Sequence, residues 1–291
     1  MISKLFNIYP PVHLLLASVT YTLGAGIARY LGHSLNFAIF GAGLLAFLSL
    51  QGSAFFLAEY FRLPLAPMAK NESPRQREKF RVTLLQVCFA ALTLSFVAIL
   101  TLLLTHTINI FAGTLYVLTF LALVAYATPP MRLSANGYGE LVFAIFLGTC
   151  LPAFAFLLQS GAFHHLLSFV TFPLTLLALA FLLVLNFPTF ATDLKYARLT
   201  LLTRLTWQRA VPIHHLLILL AYLFFSSAPF LNIPWGVIWP VFLALPFAAV
   251  QVFWLQRIAN GGRPLWNFLS TLSIATFGLS AYFLATTFWI R

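Results

Sequence analysis

The sequence has 291 residues, of which 62% are hydrophobic and 7% are charged, and its mean hydropathy is +0.96. About a quarter of the residues in a soluble domain are charged, so this composition excludes an ordinary soluble protein. A net charge of +11 is typical of nucleic-acid-binding proteins, but the distribution of the charges along this chain argues against that class.

Nine apolar stretches, here called spans 1 to 9, are each long enough to cross a bilayer as a helix, which takes about 20 residues. Lipid offers no partners to free backbone groups, so such stretches must be helical. We predict an all-α integral membrane protein with nine transmembrane helices. The spans cover approximately residues 12–32, 36–58, 82–104, 108–128, 141–160, 166–187, 212–231, 235–256 and 268–290.

The positive charges lie almost entirely on one side of this predicted bundle. All Lys and Arg residues except Arg29 and Arg291 fall at the N-terminus or in the loops after spans 2, 4, 6 and 8. Loops rich in Lys and Arg stay in the cytoplasm, which predicts a cytoplasmic N-terminus in a multi-pass protein of the cell inner membrane. We therefore expect the basic residues to contact membrane lipid and not nucleic acid.

Polar segments follow spans 2, 4 and 6, and they hold most of the acidic residues. Span 2 ends at Glu59, and residues 63–81 are interpreted as a solvated loop. Span 4 ends in YATPPMRLSANGYGE, residues 126–140, and Glu140 then begins span 5, where the helix dipole favours an acid. Gly148 and Pro152 predict a kink in span 5. Span 6 leads into NFPTFATDLKYARLTLLTRL, residues 186–205, which contains Asp193.

These three segments, in this order, resemble the motifs of the UbiA superfamily of intramembrane prenyltransferases. GSAFFLAEYFR resembles the first acidic motif, and residues 186–205 resemble the second, Asn-Phe-Pro-Asp-x-x-x-Asp. Residues 126–140 resemble the Tyr-x-x-Pro-Pro segment of the branch that prenylates dihydroxynaphthoate. The resemblance covers essentially the whole chain and implies one UbiA-like transmembrane domain over residues 1–291, with a central cavity near the cytoplasmic face.

The resemblance also implies a chemistry, and the sequence departs from it. Members transfer an isoprenyl group from its pyrophosphate to an aromatic acceptor, and Mg²⁺ held by the two acidic motifs neutralises the leaving group. One acid of each motif survives here, Glu59 and Asp193. Other residue types stand at the remaining motif positions, namely Ala58, Arg62, Ala66, Thr189, Ala197 and Arg198.

Two functional hypotheses follow from these departures. In the first, the protein is a non-catalytic UbiA-like member that binds an isoprenoid, a quinone or a pigment tail, as a subunit or assembly factor of a larger membrane complex. It needs no cofactor and has no metal ligands. In the second, it is an active, divergent prenyltransferase with a naphthoate- or quinone-type acceptor, and Mg²⁺ is expected only in this case.

The candidate site residues are shared by both hypotheses. Glu59 and Asp193 are the catalytic remnants, and Arg62 is expected to share a helix face with Glu59 and to approach Asp193. Arg pairs well with phosphate oxygens, which favours a pyrophosphate-binding role for the cationic residues Arg62, Lys195 and Arg198. The polar residues near the cytoplasmic ends of the spans are interpreted as cavity-lining, namely Gln51, Tyr126 and Asn186.

Overall fold

The computed structural model describes residues 8–62 and 73–291. Within these residues, nine helices are long and apolar enough to cross a membrane, as the sequence predicts. They are α1 Pro11–Tyr30, α2 Phe37–Arg62, α3 Pro74–Leu104, α4 Ile110–Ala127, α5 Gly139–Ser160, α6 His165–Asn186, α7 Leu201–Ser226, α8 Trp235–Ala259 and α9 Trp266–Ile290. A short connecting helix, Phe190–Lys195, follows α6.

The helices differ in how deeply they are buried. Of the most apolar stretch of α5 and of α6, 72% is buried, against 22% for α3 and for α4. Helices α5 and α6 therefore form the centre of the bundle, whereas α3 and α4 lie at its periphery and offer apolar side chains to lipid. This arrangement places the segments at the ends of α5 and α6 over the middle of the bundle.

Helix α3 begins earlier than the sequence predicts. We expected a loop over residues 63–81, but α3 starts at Pro74, and residues 63–72, with Ala66 among them, lie outside the described residues. Ser73 caps the helix by accepting a hydrogen bond from the Gln76 backbone, and the Gln76 side chain accepts one from the Ser73 backbone. This capping box stabilises a charged first turn that hydropathy alone does not mark as helical.

Helix α7 also begins earlier, at Leu201 instead of near residue 212. Thr200 and Thr203 form a second capping box at its start. The helix is then interrupted at Thr206, whose φ is 63°. The segment that the sequence marks as a polar break is thus partly helical.

The predicted distortion of α5 is present just before Pro152. A π-helical turn covers Phe146–Cys150 and widens the helix at this point. A side chain at Gly148 would lie 2.5 Å from the Cα atom of Thr175 in α6, so only glycine permits this close approach. Gly24 of α1 likewise faces the backbone of Pro152. Small residues let the central helices pack with their backbones nearly in contact.

Candidate functional site

The segments after α2, α4 and α6 meet at one end of the bundle, here called the polar end. Arg132 donates a hydrogen bond from Nη2 to the backbone oxygen of Phe61, at 3.3 Å. Asn136 and Leu199 form an isolated parallel β-bridge. Arg204 joins the same two segments by stacking on the ring of Tyr138, 4.4 Å from its centroid. The structure therefore brings the three motif-like segments together, as the sequence predicts.

Glu59 is held by Arg62, which lies three residues further along α2. The Arg62 Nε atom donates to Glu59 Oε2 at 2.6 Å, and Arg62 Nη2 donates to Glu59 Oε1. The expectation that these two side chains share a helix face is therefore confirmed. Glu59 is 9% exposed, and both of its oxygens accept hydrogen bonds from the guanidinium group.

Asp193 lies in the connecting helix and is 4% exposed. The Thr189 hydroxyl donates to Asp193 Oδ2 at 2.8 Å, and Arg198 Nη1 lies 3.6 Å from Oδ1. The described partners of Asp193 thus come from its own segment, and those of Glu59 from its own helix. The predicted approach of Arg62 to Asp193 stays a prediction.

The threonine at position 189 changes the character of the second motif. A carboxylate is expected there from the resemblance, four residues before Asp193 on the same helix face. The hydroxyl of Thr189 instead donates a hydrogen bond to Asp193. Where a second carboxylate ligand is expected, this chain therefore has a hydroxyl group that donates a hydrogen bond to the remaining carboxylate, Asp193.

Glu140 joins three elements of the polar end. Its Oε1 atom accepts a hydrogen bond from Asn186 Nδ2 at 2.5 Å, and its Oε2 atom accepts one from the Leu201 backbone N–H at 3.2 Å. Glu140 therefore sits in the first turn of α5 and also at the start of α7, where the helix dipole again favours an acid. Asn186, interpreted from the sequence as cavity-lining, has this interhelical hydrogen bond.

Arg198 lies near two carboxylates, that of Asp193 in the connecting helix and that of Glu140 in α5. Besides its ion pair with Asp193, it interacts electrostatically with Glu140 and with the hydroxyl group of Tyr126. Lys195 is exposed, with its Nζ atom 5.7 Å from the centroid of the Tyr196 ring. Of the three predicted pyrophosphate-binding residues, Arg62 and Arg198 lie against carboxylates, and Lys195 lies against an aromatic ring.

Gln51 and His13 have buried polar atoms without hydrogen-bond partners in the described part of the chain. Both amide atoms of Gln51 are unpaired, and so is Nδ1 of His13. Gln51 was predicted to line the cavity, whereas His13 was not singled out from the sequence. A single histidine two residues into an apolar helix gives no local pattern that marks it.

The described residues do not fit a Mg²⁺ site of the expected kind. Mg²⁺ prefers free oxygen ligands in octahedral geometry. Both carboxylate oxygens of Glu59 accept hydrogen bonds from Arg62, and the carboxylate of Asp193 contacts both Thr189 and Arg198. Within residues 8–62 and 73–291, no group of three or more His, Cys, Asp or Glu side chains is placed to hold a metal ion.

The fold itself is shared with solved structures of UbiA homologues. A homologue from Archaeoglobus fulgidus bound to GPP and Mg²⁺ is 17% identical, with a TM-score of 0.67 over 99% of this chain and 100% of that chain. A homologue from Aeropyrum pernix K1 is 13% identical, with a TM-score of 0.58 over 96% of this chain and 97% of that chain. A structure described for digeranylgeranylglyceryl phosphate synthase is 13% identical, with a TM-score of 0.61 over 99% and 97% of the two chains.

These likenesses define the class of fold. The chain is a multi-pass membrane protein with the fold of UbiA-type prenyltransferases. No protein-family model and no curated protein sequence matches it. The resemblance seen in the sequence is therefore confirmed for the fold, while its similarity to the naphthoate branch stays a prediction.

Proposed function

We propose that this protein is a non-catalytic member of the UbiA superfamily, one transmembrane domain over residues 1–291, that binds an isoprenoid, a quinone or a pigment tail. It acts in the cell inner membrane, with a cytoplasmic N-terminus, as a subunit or assembly factor of a larger membrane complex. The support for ligand binding is the fold, because one structure of this fold contains GPP and another contains DMAPP. The support for lost catalysis is that the two remaining motif carboxylates, Glu59 and Asp193, are already paired with other side chains.

The pairing of Glu59 with Arg62 is the observation that carries this proposal. An arginine side chain is always protonated, and two hydrogen bonds hold it in place on the carboxylate. A divalent cation at Glu59 would have to displace the guanidinium and then meet its positive charge nearby. Little remains of the negative potential that would concentrate Mg²⁺ at the polar end.

A catalytic alternative is favoured by a different observation. Arg62 and Arg198 are both at the polar end, and Arg198 interacts with Asp193 of the connecting helix, Glu140 of α5 and Tyr126 of α4. Arginine forms strong, often bidentate hydrogen bonds with phosphate. In this alternative the two arginines and Lys195 bind the pyrophosphate, and Glu59 and Asp193 serve a transfer to a naphthoate- or quinone-type acceptor.

One experiment separates the two functions. The purified protein in lipid is offered geranylgeranyl pyrophosphate and 1,4-dihydroxy-2-naphthoate with and without Mg²⁺, beside an intact prenyltransferase of this fold. We expect no product from this protein, while mass spectrometry of the purified sample detects a co-purifying isoprenoid, quinone or pigment. Product formation above background that is lost in Asp193→Ala, with the fold intact, would overturn the non-catalytic proposal.

A further inference from the structure

His164 caps the N-terminus of helix α6 with its side chain. Its Nδ1 atom accepts a hydrogen bond from the backbone N–H of Leu166 at 3.1 Å, and its own backbone is extended, as is usual for a capping residue. Helix α6 ends at Asn186, which binds Glu140 at the polar end, so His164 lies at the other end of the bundle, here called the opposite end. Side chains with an oxygen acceptor usually occupy this position.

A histidine cap differs from an oxygen cap because it works only when the imidazole is neutral. A neutral imidazole has one nitrogen that donates and one that accepts, and the bond from Leu166 requires that Nδ1 is the acceptor. Protonation turns both ring nitrogens into donors, and a donor cannot pair with a backbone N–H. Because the ordinary pKa of histidine lies in the physiological range, modest acidification is enough to remove such a cap.

Two further imidazoles lie close to His164. The ring centroid of His165 is 4.2 Å from that of His164, and His33, in residues 31–36 between α1 and α2, interacts with His164 electrostatically. The described groups that act on His164 include no carboxylate. Burial and these two histidines therefore hold the pKa of His164 below its ordinary value.

The two arginines of the opposite end are placed elsewhere. Arg29 lies over the ring of Trp289, 5.6 Å from its centroid, and the guanidinium of Arg291 lies against Gly236. The titratable groups that face His164 are thus the imidazoles of its own helix and of the connection between α1 and α2.

Neutral hydrogen bonds hold the two connections of the opposite end together. The backbone N–H of Asn36 donates to Gln159 Oε1 at 3.0 Å, and Gln159 Nε2 donates to the backbone oxygen of Asn36 at 3.4 Å. His33 precedes Asn36 by three residues, and His164 follows Gln159 by five. Positive charge on both histidines therefore acts against the contact between the connections.

The first turn of α6 also forms part of an apolar groove. The groove has a volume of about 480 Å³, and His165 and Ser168 of this turn line it together with Phe172, Phe224 and Leu231. A change in the position of the first turn therefore changes the edge of the groove.

We propose that His164 is a proton-sensitive cap, which holds the first turn of α6 while it is neutral and releases that turn, with the edge of the groove, when it is protonated. This inference goes beyond the proposed function and does not depend on whether the protein is catalytic. The folded protein favours the neutral form of His164. The cap therefore contributes its full stability above the ordinary histidine pKa of about 6.5, and the contribution is lost as the pH falls below that value.

Hydrogen–deuterium exchange of the full-length protein in phosphatidylcholine nanodiscs tests the inference. A peptide covering residues 163–172 is followed at about pH 7.5 and at about pH 5, which bracket the titration of histidine. Each rate is corrected with the exchange of the same peptide in unfolded protein. We expect the corrected exchange around Leu166 to be about fivefold faster at the lower pH, the effect of losing a typical N-cap.

Two variants fix the cap in one state. His164→Ser keeps an acceptor that does not titrate in this range, so slow exchange is expected at both pH values. His164→Ala has no acceptor, so fast exchange is expected at both. The control His106→Asn changes an exposed histidine of the same end, and asparagine tolerates the φ of 52° found there. It is expected to keep the pH dependence of the wild type.

The result that would overturn the inference is equal corrected exchange of the wild type at the two pH values. An undiminished pH dependence in His164→Ser would overturn it as well, because the titrating group would then lie elsewhere. Thermal unfolding gives an independent measure, since the wild type is expected to lose more stability than His164→Ser between the two pH values. Equal losses would show that His164 is not the proton-sensitive group.

His33→Asn tests the electrostatic part of the inference. Removal of one repelling imidazole is expected to move the transition in exchange to a higher pH, because His164 then accepts a proton more readily. A shift to a lower pH would contradict the opposition of His33 to the protonation of His164.

Discussion

Arg62 binds both carboxylate oxygens of Glu59 from one helical turn away, at the position where the resemblance to prenyltransferases leads one to expect a second acid. The two side chains are 28% and 11% exposed, so solvent screens their interaction only in part. The charge that neutralises Glu59 is therefore built into α2. This relationship explains how an acid of the motif can persist in a bundle that has little polar surface.

Restoring the missing acids is expected to create a cation site. The double variant Arg62→Asp, Thr189→Asp removes the guanidinium from Glu59 and the hydroxyl donor from Asp193, and it gives four carboxylates in two pairs. We expect saturable Mn²⁺ binding at millimolar concentration, measured by electron paramagnetic resonance, in the variant and not in the wild type.

The control for this variant carries the same change of charge elsewhere. Arg257→Asp with Thr271→Asp alters two exposed positions and is expected to leave Mn²⁺ binding at the wild-type level. A wild-type protein that binds Mn²⁺ as tightly as the restored variant would contradict our interpretation of the Arg62–Glu59 pair.

Thr189→Val tests the hydrogen bond that satisfies Asp193. Valine keeps the shape of threonine but cannot donate to the buried carboxylate, so we expect a loss of about 1–3 kcal/mol in the free energy of unfolding. The neighbouring variant Thr192→Val, at an exposed position of the same segment, is expected to change stability by less than about 0.5 kcal/mol. Thermal unfolding of the detergent-solubilised proteins measures both, and equal effects would show that the Thr189 bond contributes nothing specific.

The hydrogen bond between Glu140 and Asn186 is expected to couple α5 to α6 energetically. In a double-mutant cycle of Glu140→Ala and Asn186→Ala, we expect a coupling free energy of about 1–3 kcal/mol, because a charged acceptor is paired in a partly buried place. The pair of Glu78 with Arg81, 2.9 Å apart and with the Glu78 side chain 66% exposed, serves as the comparison. The coupling free energy of this comparison pair is expected to stay below about 0.5 kcal/mol. A value larger than that of the Glu140–Asn186 pair would refute the idea that this hydrogen bond couples α5 to α6.

The fold was readily predictable from the sequence because lipid imposes a simple rule. A stretch of about 20 apolar residues must become a helix, and that requirement locates all nine spans without any knowledge of their contacts. The Glu59–Arg62 pair was predictable for a similar reason, since residues three apart on a helix are neighbours. Helix starts were predicted less well, because the capping boxes at Ser73 and Thr200 lie in polar sequence that hydropathy does not mark as helical.

The rest of the site depends on contacts between distant parts of the chain. Glu140 meets Asn186 and the backbone of Leu201, which are 46 and 61 residues away, and no periodicity within one helix reports such a meeting. The surroundings of His13 are not predictable from the sequence for the same reason, because Phe55, Phe143 and Phe181, whose rings contact it, belong to three other helices. Thr189 was recognised as a departure from the motif, but its hydrogen bond to Asp193 required the geometry of the connecting helix.

The close approach of α5 to α6 gives a prediction about packing. A methyl group at Gly148 would lie 2.5 Å from Thr175 Cα and 2.6 Å from its backbone nitrogen, so Gly148→Ala must push the two central helices apart. We expect a loss of about 1–3 kcal/mol, the usual cost of overpacking a core. The matched variant Gly41→Ala places a methyl group on α2 where no described atom lies within 4 Å. It is expected to raise stability by about 0.5–1 kcal/mol, because alanine is the better helix former. Both variants are compared by thermal unfolding in the same detergent, and a Gly148→Ala protein as stable as the wild type would show that the backbones of α5 and α6 are not in close contact.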